Sequence, residues 1–314
     1  MKVLGIHHVT AISSRIADNL AFYTGPLGLR LVKKSINQDD VSAYHLFYAD
    51  TIASPGTDLT FFDWPQAGAN RPGQATVSLT TLRAPSGSLD VWENRLRLAG
   101  ASVERDTDAA GRLRLLFTDP EGQRLALTDD DGLAGTVLPW DKTVPAEYAT
   151  RGIFGVDIES ARPDATRRVL TDILGYRNVD GLRFEIATED SASEILVHEP
   201  TGRYLGQPGA GGVHHVAFRV EGDEELKAFQ DRIEAAGIKT SGYVDRYYFH
   251  SLYFREPGGV LFELATEGPG MASDEPVEYL GERLSIPPFM ESRRSAIEEN
   301  LKPLPQPAYL ESKA

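Results

Sequence analysis

The chain alternates between two hydrophobic rhythms. A short stretch with strand-like alternation is followed by a stretch with helical spacing, and then by several more strand-like stretches. Near the C-terminal end, "VHHVAFRV" (213–220) is β-branched and alternating, and "GDEELKAFQDRIEAAGIK" places Leu226, Phe229 and Ile233 on one helical face. Gly237 then stands where a helix C-terminus favours glycine. "SLYFRE" and "VLFELAT" follow as strands joined through the turn residues "PGG". Leu89, Trp92 and Leu96 ahead of Gly100 repeat the helical part of this pattern.

The rhythm is an internal repeat. Residues 75–127 lie on 212–264 without a gap at an offset of 137, bringing "LLFTDPEGQRLAL" onto "LYFREPGGVLFEL". A second offset, of 147, lays "GIHHVTAI" on "GIFGVDIE" and "PLGLR" on "ILGYR". The chain therefore reads as four βαβββ modules and the fold class as α+β. A doubly wound parallel sheet would need strict alternation of strand and helix, which the strand-rich second part of each module excludes. Modules one and two fill residues 1–135, and modules three and four fill 147–268. A linker rich in Asp, Gly and Pro spans 129–146, and the extension 269–314 is expected to place a short helix, "SRRSAIEENL", between proline-rich segments wrapped on the body.

Composition narrows the chemistry. The chain has no cysteine, so disulfides, zinc fingers, iron–sulfur clusters and thiol nucleophiles are excluded, and any metal must be held by His, Asp, Glu or Tyr. The net charge of −14 disfavours nucleic acid and anionic membranes as partners. No apolar run approaches the roughly 18 residues of a membrane span. "MKVLGIHHVT" lacks the apolar core of a secretory signal, so a cytoplasmic location is expected.

Four of the seven histidines form two doublets, His7-His8 and His214-His215, in the first strands of modules one and four. Modules two and three carry Val77-Ser78 and Phe154-Gly155 there, and Ala126 takes the place of Glu263, so the scaffold itself does not require these polar groups. Strand alternation lets one histidine of each doublet face a common interior. With Glu263 they make a set of two histidines and one carboxylate, suited to non-haem Fe(II) with open positions opposite the protein ligands; Mn(II) is admitted by the same donors. If the metal lies within a cup built from two modules, modules one and four must pair. His45 and His198 read as structural, and His250 as a surface residue.

The repeat, with the ending "REPGG" followed by two apolar residues and "FE", resembles the vicinal-oxygen-chelate superfamily of glyoxalases, bleomycin-resistance proteins and extradiol dioxygenases, over roughly residues 1–266. The resemblance implies two open-barrel, cup-shaped, glyoxalase-like domains. Within the superfamily the sequence is most similar to the hydroquinone-cleaving dioxygenases of the 2,6-dichlorohydroquinone 1,2-dioxygenase type. That likeness implies His8, His215 and Glu263 as the metal ligands and Fe(II) as the cofactor. It also implies an aromatic substrate and O2 as partners, and a role in aromatic compound degradation; a homo-oligomer is expected as well. By the same likeness Arg246 and Tyr253 stand around the bound ring, and His7, Thr10 and His214 lie near the pocket. Strand alternation turns His7 and His214 from the metal, toward hydrogen bonding or proton transfer. The chain departs from catechol extradiol enzymes, whose first ligand comes from the module that here reads "GIFGVDI". A catechol dioxygenase, a glyoxalase-type isomerase and a metal-free antibiotic-binding protein are the competing functions.

Overall fold

The computed structural model describes residues 1–130, 137–188 and 192–311. Module one comprises β1 (Ile6–Ser13), α1 (Ile16–Thr24), β2 (Arg30–Ile36), β3 (Tyr44–Ala49) and β4 (Asp58–Asp63). Module two comprises β5 (Thr76–Ala84), α2 (Leu89–Leu98), β6 (Val103–Thr107), β7 (Leu113–Thr118) and β8 (Arg124–Asp129). In module three β9 (Ile153–Glu159) leads into α3 (Pro163–Arg168), which continues as a π-helical turn (Val169–Leu174), and then into β10 (Arg177–Asn178), β11 (Arg183–Ala187) and β12 (Ala192–His198). Module four holds β13 (Val213–Val220), α4 (Asp223–Ala235), β14 (Thr240–Asp245), β15 (Phe249–Arg255) and β16 (Leu261–Pro269). The expected helical faces are buried: Leu226, Phe229 and Ile233 on α4, and Leu89, Trp92 and Leu96 on α2.

The strands form two eight-stranded sheets, ordered β14-β15-β16-β13-β1-β4-β3-β2 and β10-β11-β12-β9-β5-β8-β7-β6. Both are open, cup-like sheets of the glyoxalase type. Each cup takes one module from each half of the chain, so the sequence halves 1–135 and 147–268 do not each close a cup of their own. Module one pairs with four and module two with three, through their first strands: β1 runs antiparallel to β13 and β5 antiparallel to β9. That crossing brings residues 207 apart in sequence, His8 and His215, into one concavity. Residues 131–136 of the linker lie outside the described residues.

Each of the two central ladders is interrupted twice. On β1, Ile6 pairs with Phe218 and His8 with Ala217, leaving His7 as an extra residue; Thr10 pairs with His215 and Ala11 with Val213, leaving His214 as another. A bulge of this kind re-aims the side chain it carries. Similar irregularities interrupt the β5–β9 pair, which has no histidine, so they belong to the scaffold.

The extension beyond β16 straps the first cup, with short helices α5 (Arg294–Asn300) and α6 (Ala308–Glu311). It runs along edge strand β2, where Ser285 N–H donates to the Lys34 carbonyl and Ser35 Oγ to the Ser285 carbonyl. Covering an edge in this way blocks pairing with other chains. Met271 and Leu280 join Phe47, Phe249 and Ala265 in an apolar cluster, and Lys33, fully buried on β2, lies 2.7 Å from Asp274 and 2.5 Å from Glu275. Gly281 sits against β2 with φ +77°, and a Cβ there would come 2.1 Å from the Leu31 carbonyl oxygen. We therefore expect Gly281→Ala to cost more than about 1 kcal/mol and to speed protease cleavage within 270–311, measured by limited proteolysis; unaltered cleavage and melting would contradict the tight docking of the strap. Among the described residues no helix is long and apolar enough to cross a membrane.

Candidate metal centre

The central strands of the first cup, β1, β13 and β16, each contribute one donor. His8 Nε2 lies 3.2 Å and His215 Nε2 2.8 Å from Glu263 Oε2, and the two Nε2 atoms are 3.3 Å apart. Ligand atoms held at right angles, about 2.1 Å from one ion, stand about 3.0 Å from each other, so this near-equilateral triangle has the edge lengths of one face of an octahedron. All three side chains are buried, and among the described residues they are the one group of His, Asp and Glu with ligand atoms within 4.8 Å of one another.

Their surroundings fit a cation. Ser251 Oγ donates to Glu263 Oε1 at 2.6 Å, leaving Oε2 buried without a hydrogen bond of proper geometry and aimed between the imidazoles. A buried carboxylate oxygen left in that state is costly unless an ion completes it. Burial opposes ionisation of Glu263, but His8 and His215 outweigh it and hold the carboxyl well below its usual range. Burial also lowers His215, against the pull of Glu263. Glu263 is thereby held as the carboxylate a metal requires. We expect Ser251→Ala to weaken metal binding by about 10- to 100-fold, read by calorimetric titration with Fe(II) under anaerobic conditions.

Behind each imidazole stands the other histidine of its doublet. His7 Nδ1 is 2.9 Å from His8 Nδ1, and His214 Nδ1 is 2.8 Å from His215 Nδ1. Alternation alone turns the first histidine of each pair away from its neighbour; the bulges instead bring the Nδ1 atoms together. With Nε2 free to bind a metal, His8 and His215 carry the proton on Nδ1 and donate it to the neighbouring ring. Burial first, and the adjacent His8 or His215 second, push His7 and His214 each down to about 3, which leaves them as neutral acceptors.

A cavity lined by His8 and His215 opens over the triad. Tyr253 and Arg246 form one wall: Arg246 Nε donates to the Tyr253 hydroxyl at 3.2 Å and the guanidinium pairs with Asp39 at 3.0 Å. Burial, and next Glu263, hold the Tyr253 hydroxyl above its ordinary range, so it remains a donor. Burial works against the Arg246 charge, but Tyr253 and Asp39 outweigh it. Thr10 does not line the cavity. It lies beside His215 in the ladder and its hydroxyl is 2.8 Å from that of Thr60.

One histidine read as structural faces the cavity. His45, on β3, lines the cavity, packed between Phe47 and Phe62 at ring separations of 4.1 and 4.4 Å, with Nε2 2.9 Å from Thr60 Oγ1. Phe249 is also part of the lining, 5.2 Å from the His8 ring. The "AYHLFYAD" alternation put His45 and Phe47 on one face, but nothing local said that the face was this cavity's. His198 pairs with Asp157 at 3.0 Å, and that contact raises its pKa against burial. His250 is partly exposed and pairs with Asp223.

The second cup lacks the donors. Gly155, Ser78 and Ala126 occupy the positions equivalent to His8, His215 and Glu263, and ion pairs fill the interior, Arg112 with Asp108 and Glu194 at 2.7 and 2.6 Å.

The sequence profile of the Glyoxalase/Bleomycin resistance protein/Dioxygenase superfamily matches residues 5–127 and 153–264, and the chain belongs to that superfamily. It is 42% identical to the "Putative ring-cleaving dioxygenase MhqA" of Bacillus subtilis, over 97% of this chain and all of that protein. It is 30% identical to the chlorohydroquinone/hydroquinone 1,2-dioxygenase of Sphingobium indicum, over 92% of this chain and 93% of that one. Among solved structures, a Bacillus subtilis protein described as a putative dioxygenase superposes with a TM-score of 0.88 at 36% identity, covering 97% of this chain and 98% of the other. Glyoxalase I of Zea mays shares the fold, with a TM-score of 0.60 at 13% identity over 84% of this chain and 92% of that one.

Proposed function

We propose that the protein is a non-haem Fe(II)-dependent dioxygenase that opens a hydroquinone-type ring beside a hydroxyl. The convergence of His8 Nε2, His215 Nε2 and Glu263 Oε2 within 3.3 Å carries the reading, and the names of the similar proteins support it. Ferrous iron bound there would supply a Lewis-acidic redox centre with open positions for a phenolic oxygen and O2 side by side. Both atoms of O2 enter the product, so the reaction needs no external reductant.

The chain's own groups prepare the substrate. Arg246 offers a permanent positive charge that favours ionisation of the phenol oxygen. The Tyr253 O–H donates a hydrogen bond to an oxygen on the same wall. Phe47, Phe62 and Phe249 flank the ring and exclude water, which strengthens both interactions. Ser251 keeps the carboxylate turned to the metal, while His7 and His214 keep the ligand imidazoles in the Nδ1–H tautomer.

A glyoxalase-type isomerase commonly adds a second carboxylate from the opposite module, and among the described residues the ligand group holds one carboxylate. A metal-free binding protein has no use for the triad. The test is anaerobic Fe(II) loading followed by oxygen-electrode assays on substituted hydroquinones and catechols. Oxygen uptake on hydroquinones, with one equivalent of iron per chain, is expected; iron-loaded protein that consumes no oxygen with any of them overturns the reading.

A further inference from the structure

We propose that His45 receives the substrate hydroxyl that does not reach the metal, and so selects hydroquinones over rings with a single hydroxyl; this rests on the ring-cleaving reading above. A hydroquinone carries its two hydroxyls at opposite ends of the ring. When one lies at the triad beside Tyr253 and Arg246, the other needs a partner elsewhere in the cavity, because a buried hydroxyl left unpaired costs affinity.

The strand order places that partner. The ligands stand on β16, β13 and β1, Tyr253 is on β15 to one side, and His45 is on β3 to the other, beyond β4. The phenyl rings of Phe47 and Phe62 clamp the His45 imidazole, so it is a fixed group. Its Nε2 is engaged with Thr60, while its Nδ1 has no hydrogen bond among the described residues. Of the other polar groups of the lining, Ser35 donates to the Ser285 carbonyl, Gln38 to the Arg246 carbonyl and Tyr248 to Asp274, and Asn37 Oδ1 accepts from the Asp39 N–H. Thr60 in turn meets Thr10, and hydroxyls donate or accept, so the Thr10–Thr60 pair accommodates either tautomer of His45. Nδ1 can thus accept from a phenol or donate to it. This also gives Thr10 a positioning role, exerted through Thr60.

The test compares hydroquinone with 4-methylphenol, which replaces the second hydroxyl by a methyl group, in anaerobic calorimetric titrations of the Fe(II)-loaded protein. His45→Phe is expected to weaken hydroquinone binding about tenfold and to leave 4-methylphenol within about twofold, with His45→Gln recovering part of the loss. Should the phenylalanine variant fold poorly, Thr60→Val carries the test, with a smaller loss, again selective for hydroquinone. Equal effects on both ligands, or none on either, in protein of unchanged iron content overturn the proposal. Selectivity that depends on His45 in a wild type consuming no oxygen supports the His45 assignment and defeats the ring-cleaving reading alone.

Discussion

Replacing Glu263 by Gln is expected to abolish stoichiometric iron binding and to lower oxygen uptake by more than about 100-fold, beyond the effect of disturbing a group outside the ligand set. The substitution keeps the side chain's shape and removes only its charge. In metal-free wild-type protein that charge is buried between two imidazoles, with Oε2 lacking a good hydrogen bond. The imidazoles that hold the carboxyl low favour its charge, so the Gln variant should be less stable than wild type even without metal. Fe(II) widens the gap. Wild type gains stability by mass action, about 2.7 kcal/mol at a free metal concentration a hundred times Kd, whereas the variant gains none. Thermal melting with and without Fe(II) reads both differences, and an equal metal-induced rise in the two proteins would contradict a role for Glu263 as ligand.

Lys33→Met should produce the largest loss of stability, about 3–5 kcal/mol. Its ammonium is fully buried, within 2.7 Å of Asp274 and 2.5 Å of Glu275, and 4.7 Å from the centre of the Tyr248 ring. Glu275 is itself only 3% exposed, so removing the ammonium leaves its buried carboxylate with Arg283 alone, 3.4 Å from Oε1, as a counter-charge. The same Asp274 accepts from the Tyr248 hydroxyl, and Tyr248 lines the cavity. Loss of the pair is thus expected to raise KM as well as to loosen the strap. Denaturant unfolding checks the stability term. Adding Glu275→Gln should return part of it, because that change removes the stranded charge.

Much of this was legible in the sequence, for identifiable reasons. The repeat survives as aligned Gly100 and Gly237, Phe117 and Phe254, and Pro120 and Pro257, because turn and core positions are the ones a βαβββ module cannot vary freely. The doublets stood out because modules two and three lack them. The pairing of module one with four followed from the ligand set, while the repeat taken alone suggested consecutive halves. The bulges were not legible: an extra residue in a ladder is defined by the partner strand, so the expectation that His7 and His214 turn from the metal toward hydrogen bonding named no partner, and their Nδ1 atoms meet those of His8 and His215. Lys33 in "LVKKSI" has the look of a solvent-facing lysine on an edge strand. Its burial depends on Asp274 and Glu275, more than 240 residues away along the chain. That His45 faces the cavity was hidden for the same reason, since the other residues of that lining come from elsewhere in the chain.

The most direct test is anomalous diffraction at the iron edge from crystals of the Fe(II)-loaded protein. A single peak about 2.0–2.3 Å from His8 Nε2, His215 Nε2 and Glu263 Oε2, with none in the second cup, is the predicted result. Iron bound elsewhere, or a peak missing any of those three atoms, would contradict the account.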